Sequence, residues 1–142
     1  MTAFDLAHFL PYRLSVLAAR VSADFAAVYA RRFDLSVPEW RVLAHLAQGG
    51  DVSVREIHAR VDMDKSKVSR AAQRLELRGL VSKAAHPRDK RLVSLSLTDA
   101  GQALMAEIAP LALGFEAALL EKLPPAERAA LVHAIDILVK PA

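Results

Sequence analysis

Asp64-Lys65-Ser66-Lys67-Val68-Ser69-Arg70-Ala71-Ala72-Gln73-Arg74-Leu75-Glu76-Leu77-Arg78-Gly79-Leu80-Val81 is the stretch that decides the fold. Asp64 is a good helix N-cap, and Gly79 suits the position just past a helix end. The spacing predicts a helix from Asp64 to about Arg78, with Val68, Ala71, Ala72 and Leu75 on its buried side. At 100° per residue the opposite face is centred on Ser66, Ser69, Arg70 and Gln73, flanked by Lys65, Lys67 and Arg74. Small and basic residues over a floor of alanines suit a helix that lies close to a groove.

After Gly79 the apolar period changes from 3.6 to 2. Leu80–Lys83 and Leu92–Leu97 read as two strands, and His86-Pro87-Arg88-Asp89-Lys90-Arg91 between them as a polar turn. The pair is a β-hairpin with a basic tip. Upstream, Ser53-Val54-Arg55-Glu56 is a capping-box start for a short helix reaching about Val61. Ser36-Val37-Pro38-Glu39 is another, opening a helix that carries Trp40, Val42, Leu43 and Leu46 and stops at Gly49-Gly50. Three helices followed by a hairpin make a winged helix-turn-helix.

The ends of the chain have a different character. From Asp5 to about Arg32 the residues Leu6, Phe9, Leu10, Leu14, Leu17, Val21, Phe25 and Val28 recur at helical steps. Thr98 caps a later helix with Leu104, Ile108, Leu111, Phe115 and Leu119, which Pro110 is expected to bend. Pro124-Pro125 ends it and starts a last helix with Leu131, Ile135 and Leu138. The expected fold class is therefore mainly α (α+β). Residues 35–97 form the winged unit, and 1–34 with 98–142 are dimerisation helices, in one structural unit overall.

Charge follows the same division. Residues Ser53–Leu92 hold eleven Lys and Arg against five Asp and Glu, a net of +6; the whole chain is +3, so the remainder sums to −3. A basic middle in a chain whose remainder is net acidic is the footprint of a polyanion-binding module on another kind of scaffold. The hydrophobic fraction is 54% in 142 residues, more than a small domain needs, which suggests apolar surface buried against a partner. There is no cysteine, which excludes disulfides and thiolate chemistry. No apolar run approaches the ~18–20 residues of a membrane span, and the first residues lack a signal peptide's pattern. The expected location is cytoplasmic.

Several motifs together resemble the MarR (multiple antibiotic resistance regulator) family. Asp89-Lys90-Arg91, five residues, then Leu97-Thr98 is similar to its wing signature, D-x-R followed by L-T. Asp99-Ala100-Gly101 resembles the start of its long fifth helix. Leu35-Ser36 and Pro38-Glu39-Trp40-Arg41-Val42-Leu43 resemble its second helix. Asp64–Arg70, Leu75-Glu76 and Arg78-Gly79-Leu80-Val81 resemble its recognition helix and exit. The likeness extends over nearly the whole chain. His86 departs from it, standing where many of the family carry an acid.

The resemblance implies a triangular homodimer intertwined through its first, fifth and sixth helices, with paired basic units facing successive major grooves. It implies a repressor of a pseudo-palindromic promoter operator, released by a small effector. Lys65, Ser66, Lys67, Ser69, Arg70, Gln73 and Arg74 would then meet double-stranded DNA from the recognition helix, and Arg88, Asp89, Lys90 and Arg91 from the wing. Arg91 is the candidate for the minor groove, with Asp89 able to orient its guanidinium. The effector pocket would lie between the dimer arm and the winged unit. His8, Tyr12, Arg13 and Trp40 are its candidate lining, suited to an aromatic acid or thioester.

Other chemistry finds little support. His8, His45, His58, His86 and His133 are scattered, with no zinc-type pair. Asp62 and Asp64 lack the later ligands of a calcium loop. No phosphate loop and no nucleophile with a nearby base occurs, so no enzyme, metal or cofactor is expected. The competing reading is a winged-helix protein–protein module, against which the polar face of the 64–78 helix argues.

Overall fold

The computed structural model describes residues 3–49, 52–60, 63–85, 88 and 93–141. Two compact units make up the chain, Met1–Ile108 and Ala109–Ala142. The fold is mainly helical with one small sheet.

In the first unit a single 3-10 turn, Leu6–His8, precedes α1, Leu10–Phe33. The continuous helix expected from Asp5 is thus divided. Asp5 caps the short turn by accepting from the Ala7 amide, and Phe9 is extended. Pro11 in the first turn of α1 lacks an N–H to continue a preceding helix but fits a new start. Asp34 ends α1 in a left-handed conformation (φ 54°), a cap that Asp and Asn tolerate best after glycine.

Helix α2, Val37–Gly49, begins at the expected capping box. The Glu39 amide donates to Ser36 Oγ, while the Ser36 amide and hydroxyl both donate to Glu39 Oε1. Strand β1, Val52–Ser53, leads directly into α3, Val54–Arg60, where Ser53 and Glu56 repeat the box. Helix α4, Lys65–Leu77, carries Asp64 as its N-cap, accepting from the Lys67 amide. Gly79 supplies the positive φ, 74°, that turns the chain out of α4.

Strands β2, Val81–Ala85, and β3, Val93–Leu97, pair antiparallel, from Val81 with Leu97 to Ala85 with Val93. Strand β2 runs two residues beyond the expected Lys83, and β3 ends at the expected Leu97. Sequence reading gave two strands; the sheet has three, in the order β1-β3-β2, because Val52 and Ser53 pair with Leu95 and Ser94. Helix α5, Asp99–Leu120, opens at Thr98, whose Oγ1 accepts from the Gly101 amide. Pro110 lies inside it.

The core of this unit gathers Val42, Leu43 and Leu46 from α2, Ile57 from α3, and Val68, Ala71, Ala72 and Leu75 from α4. Leu80, Val81 and Leu95 close it from the sheet, and Tyr29 and Ile108 from α1 and α5. The four buried residues of α4 are those its spacing predicts. At Ala71 and Ala72 the missing bulk lets α4 sit close over its neighbours.

The second unit holds the end of α5 and helix α6, Pro125–Val139. Arg128 Nε donates to the Leu120 and Leu123 carbonyls, both at 2.8 Å, tying α6 to the connection before it. Helix α5 corrects one expectation. Over 22 residues it is long and apolar enough to cross a membrane by length and composition alone. Glu107 and Glu116 break any continuous apolar run, but two acids do not offset the mean hydropathy of the helix.

Candidate nucleic-acid interface

Helix α4 is built to stand proud of the core. Its anchored side is fully buried, and Lys65, Ser66, Lys67, Ser69, Arg70, Gln73 and Arg74 are all exposed. The structure thus brings the seven sequence-selected residues onto one helix and one surface.

The N-terminal turn is tightly fixed. Asp64 Oδ1 accepts from the Lys67 amide at 2.9 Å and from Ser66 Oγ at 2.8 Å. These bonds, with Lys67 and Arg70 nearby, hold the Asp64 carboxyl below the usual carboxylate range. Ser66 is therefore oriented by the cap, and its oxygen can still accept a hydrogen bond. Among the described residues Ser69 and Gln73 make no side-chain hydrogen bond, so their polar groups are free for a ligand.

Arg74 has a second engagement. Its Nε lies 3.6 Å from Glu39 Oε1, an ion pair from α4 to the first turn of α2. Arg78, one turn on, lies 3.7 Å from Glu39 Oε2, and its two terminal nitrogens donate to the Asp34 and Phe33 carbonyls at 2.7 and 3.0 Å. Neither pairing of Glu39 is visible in the sequence, because its partners stand 35 and 39 positions away in the chain.

The hairpin flanks α4. Lys83 on β2 pairs with Glu76 on α4 at 3.6 Å, and Ser82 and Ser96 share a hydrogen bond of 2.9 Å across the strands. Arg88 is exposed at its far end. Asp89, Lys90 and Arg91, like His86, fall outside the described residues.

The candidate effector residues are distributed over the 3-10 turn, α1 and α2. His8 is exposed and bonded to Asp5. Tyr12 and Arg13 are exposed in the first turn of α1. Trp40 is stacked on Tyr29, ring centroids 5.5 Å apart, and meets Phe25 edge-on at 5.3 Å. Thirteen residues of helix separate Tyr12 from Phe25, roughly 20 Å at 1.5 Å per residue. Within one chain Trp40 and Tyr12 are therefore apart, and Trp40 packs against the core. Burial pushes the neighbouring Tyr29 phenol above its ordinary pKa, with Arg41 opposing.

Among the described residues no group of His, Asp and Glu is placed to hold a metal ion. The arrangement offers hydrogen-bond donors and positive charge on a convex helix beside a hairpin, which fits the width of a DNA major groove.

Comparison with known proteins agrees with this geometry. Residues 33–92, from the end of α1 to the wing, match the model of the MarR family. A stretch of 67 residues is 37% identical to the HTH-type transcriptional repressor MdtR of Bacillus subtilis; it covers 47% of this chain and 43% of that protein, so the chain matches less than half of its relative's length. The fold is similar to that of Bordetella bronchiseptica BpsR, a protein whose DNA binding is regulated by 6-hydroxynicotinic acid, with a TM-score of 0.84 and 25% identity over 99% of this chain and 100% of that one. It is also similar to a MarR/EmrR family transcriptional regulator from Acinetobacter sp. ADP1, with a TM-score of 0.83 and 27% identity over 95% of each chain. The chain is thus similar to MarR family proteins in sequence over residues 33–92 and in fold over nearly its whole length.

Proposed function

We propose that this protein is a cytoplasmic transcriptional repressor that binds a pseudo-palindromic operator as a homodimer and is released by a small aromatic acid or its thioester. The observation that carries the reading is the exposed face of α4. Its donors and cations stand on a helix whose other side is locked into the core, so little order need be gained on binding. Lys65, Lys67 and Arg74 serve phosphates. Ser66, Ser69, Arg70 and Gln73 serve base edges. Arg88, Asp89, Lys90 and Arg91 are the proposed wing contacts.

A homodimer accounts for the apolar surface. Leu10, Leu14 and Leu17 on α1 and Leu131, Ile135 and Leu138 on α6 are exposed in the single chain. Apolar stripes of this extent on both terminal helices favour burial against a second copy. Two copies would set two α4 helices about one DNA turn apart, roughly 34–36 Å. The effector class rests on the likeness to BpsR and on the aromatic and cationic residues of α1 and α2.

The test is a gel shift with the DNA flanking the protein's own gene, followed by footprinting. Protection of an imperfect palindrome by a particle of twice 15.5 kDa is the expected result. A stable monomer by light scattering, or no shift at low salt, would overturn it. Small aromatic acids and thioesters can then be screened for release and for a raised melting temperature.

A further inference from the structure

Glu39 is the one charged side chain that is buried among the described residues. Its capping duty does not explain the charge. A glutamine at the same place in the box would accept from the Ser36 amide just as well, without the cost of burying a carboxylate. The charge is instead answered by two arginines of α4, Arg74 at Oε1 and Arg78 at Oε2.

The two arginines are used differently. Arg78 turns its terminal nitrogens inward, onto the Phe33 and Asp34 carbonyls at the end of α1. Arg74 meets Glu39 through Nε, the nitrogen nearest its stem. Its side chain is 49% exposed, and among the described residues its two terminal nitrogens make no hydrogen bond. A guanidinium paired at Nε keeps its two terminal nitrogens available as a fork, the geometry that matches a phosphate.

We propose that Glu39 is a positioning residue for DNA binding: from beneath α4 it holds Arg74 by Nε and so presents the terminal fork of that arginine to a backbone phosphate. The inference rests on the DNA-binding reading of α4 given above. Glu39 itself touches no DNA. Its effect is to order, before binding, a long side chain that would otherwise lose its rotamer freedom on the duplex.

By simple Coulomb attraction, removing a negative charge near a polyanion should tighten binding. Removing the charge of Glu39 should weaken it, because Arg74 loses its anchor.

The experiment titrates a fluorescein-labelled, mixed-sequence DNA duplex by anisotropy at two salt concentrations, since phosphate contacts do not depend on sequence. The full-length chain is compared with Glu39→Gln, Arg74→Ala, Arg74→Lys and the Glu39→Gln/Arg74→Ala double variant. Glu39→Gln keeps the capping box, and a thermal melt checks its fold. We expect Arg74→Ala to weaken binding on the order of five- to tenfold near ~0.1 M salt, the worth of about one released counterion, and to lower the salt slope by about one. Glu39→Gln should lose most of that affinity, and the double variant little more than Arg74→Ala. Arg74→Lys, a surface change that keeps the charge but has no second edge, should lose most of it too. Glu39→Gln binding as tightly as the unaltered chain, or more tightly, would overturn the proposal. So would an equal loss from Glu39→Gln when Arg74 is already alanine, which would place its effect in the fold. Full affinity in Arg74→Lys would show that charge suffices, and would overturn it even if Glu39→Gln fails to fold. An unaltered chain that leaves the duplex unbound at low salt overturns the DNA-binding reading and this inference together; the other outcomes leave that reading standing.

Discussion

A methyl group on Gly101 would lie 2.1 Å from the carbonyl oxygen of Leu80. That oxygen has little room to retreat, because it also accepts from the Thr98 amide at 3.1 Å. Thr98 Oγ1 donates to the Gly79 carbonyl at 2.6 Å and accepts from the Gly101 amide at 3.1 Å. The first turn of α5 is thus joined to the turn after α4, and the wing leaves from a fixed point.

Gly101→Ala should therefore destabilise the protein, although alanine is the better helix former. The propensity gain is about 1 kcal/mol, against an overpacking cost of about 1–3 kcal/mol or more where the clash is with backbone. Gly79 is the contrast. An added Cβ there meets nothing within 4 Å, and only its positive φ resists, at about 1–2 kcal/mol for alanine and less for asparagine. Urea midpoints should fall in the order Gly79→Asn, Gly79→Ala, Gly101→Ala, the last most. A Gly101→Ala midpoint at the unaltered value would mean that α5 starts farther from Leu80.

Arg78 should matter to stability and little to DNA. It satisfies two carbonyls at the end of α1, where the last turn of a helix leaves such groups without partners. Arg78→Ala should cost about 1–2 kcal/mol, a moderate figure because 37% of the side chain is exposed. Arg78→Lys should recover only part, since one ammonium does not reproduce the planar fork. Chemical denaturation checks both. The sole tryptophan, Trp40, lies one residue from Glu39 and reports the same region by fluorescence.

Much of this was legible in the sequence, and the omissions have a common cause. Helix α4 announces itself through Asp64, its four buried positions and Gly79, all local signals. The capping boxes at Ser36 and Ser53 are equally local. Strand β1 is only two residues long, and Val52 and Ser53 become a strand solely by pairing with Leu95 and Ser94, some forty positions later. The break at Phe9 was hidden because the apolar period of Leu6, Phe9 and Leu10 runs across it, and only Pro11 hints at a new start. Of the interface, the exposed face of α4 follows from helical geometry. The Glu39 pairings do not, since nothing local distinguishes an arginine that reaches the core from one that is merely solvated.

Asp64 gives the interface a pH dependence whose sign is fixed. Its carboxyl is held below the ordinary range because the charged form accepts from the Lys67 amide and Ser66 hydroxyl. A depressed folded pKa means that the contribution is fully present above the unfolded value and is lost as pH falls through the folded one. The cap should thus be intact at neutral pH and fail only on acidification below the ordinary carboxylate range. Asp64→Asn keeps a good cap and should flatten that part of the acid transition, while Asp64→Ala should fray α4 at all pH values. Circular dichroism against pH tests this. An acid limb unchanged in Asp64→Asn would assign the transition to other carboxylates.

Base reading and phosphate binding should separate along α4. Gln73 is exposed, has no side-chain hydrogen bond among the described residues, and stands on the face opposite the buried alanines. An amide at such a place can pair with the N6 and N7 edge of adenine. Lys65 is at the start of the helix, exposed, with a single mobile charge. Gln73→Ala should relax specificity at one base pair of each half-site, by about 1–3 kcal/mol against the preferred base, and leave mixed-sequence binding nearly unchanged. Lys65→Ala should weaken all sequences alike and reduce the salt slope by about one. Selection from a randomised duplex pool, followed by titration of the selected site and single-base variants at two salt concentrations, separates the two. If Gln73→Ala lowers affinity equally for every base at every position, Gln73 contacts the backbone, and Ser66, Ser69 and Arg70 are left to read the sequence.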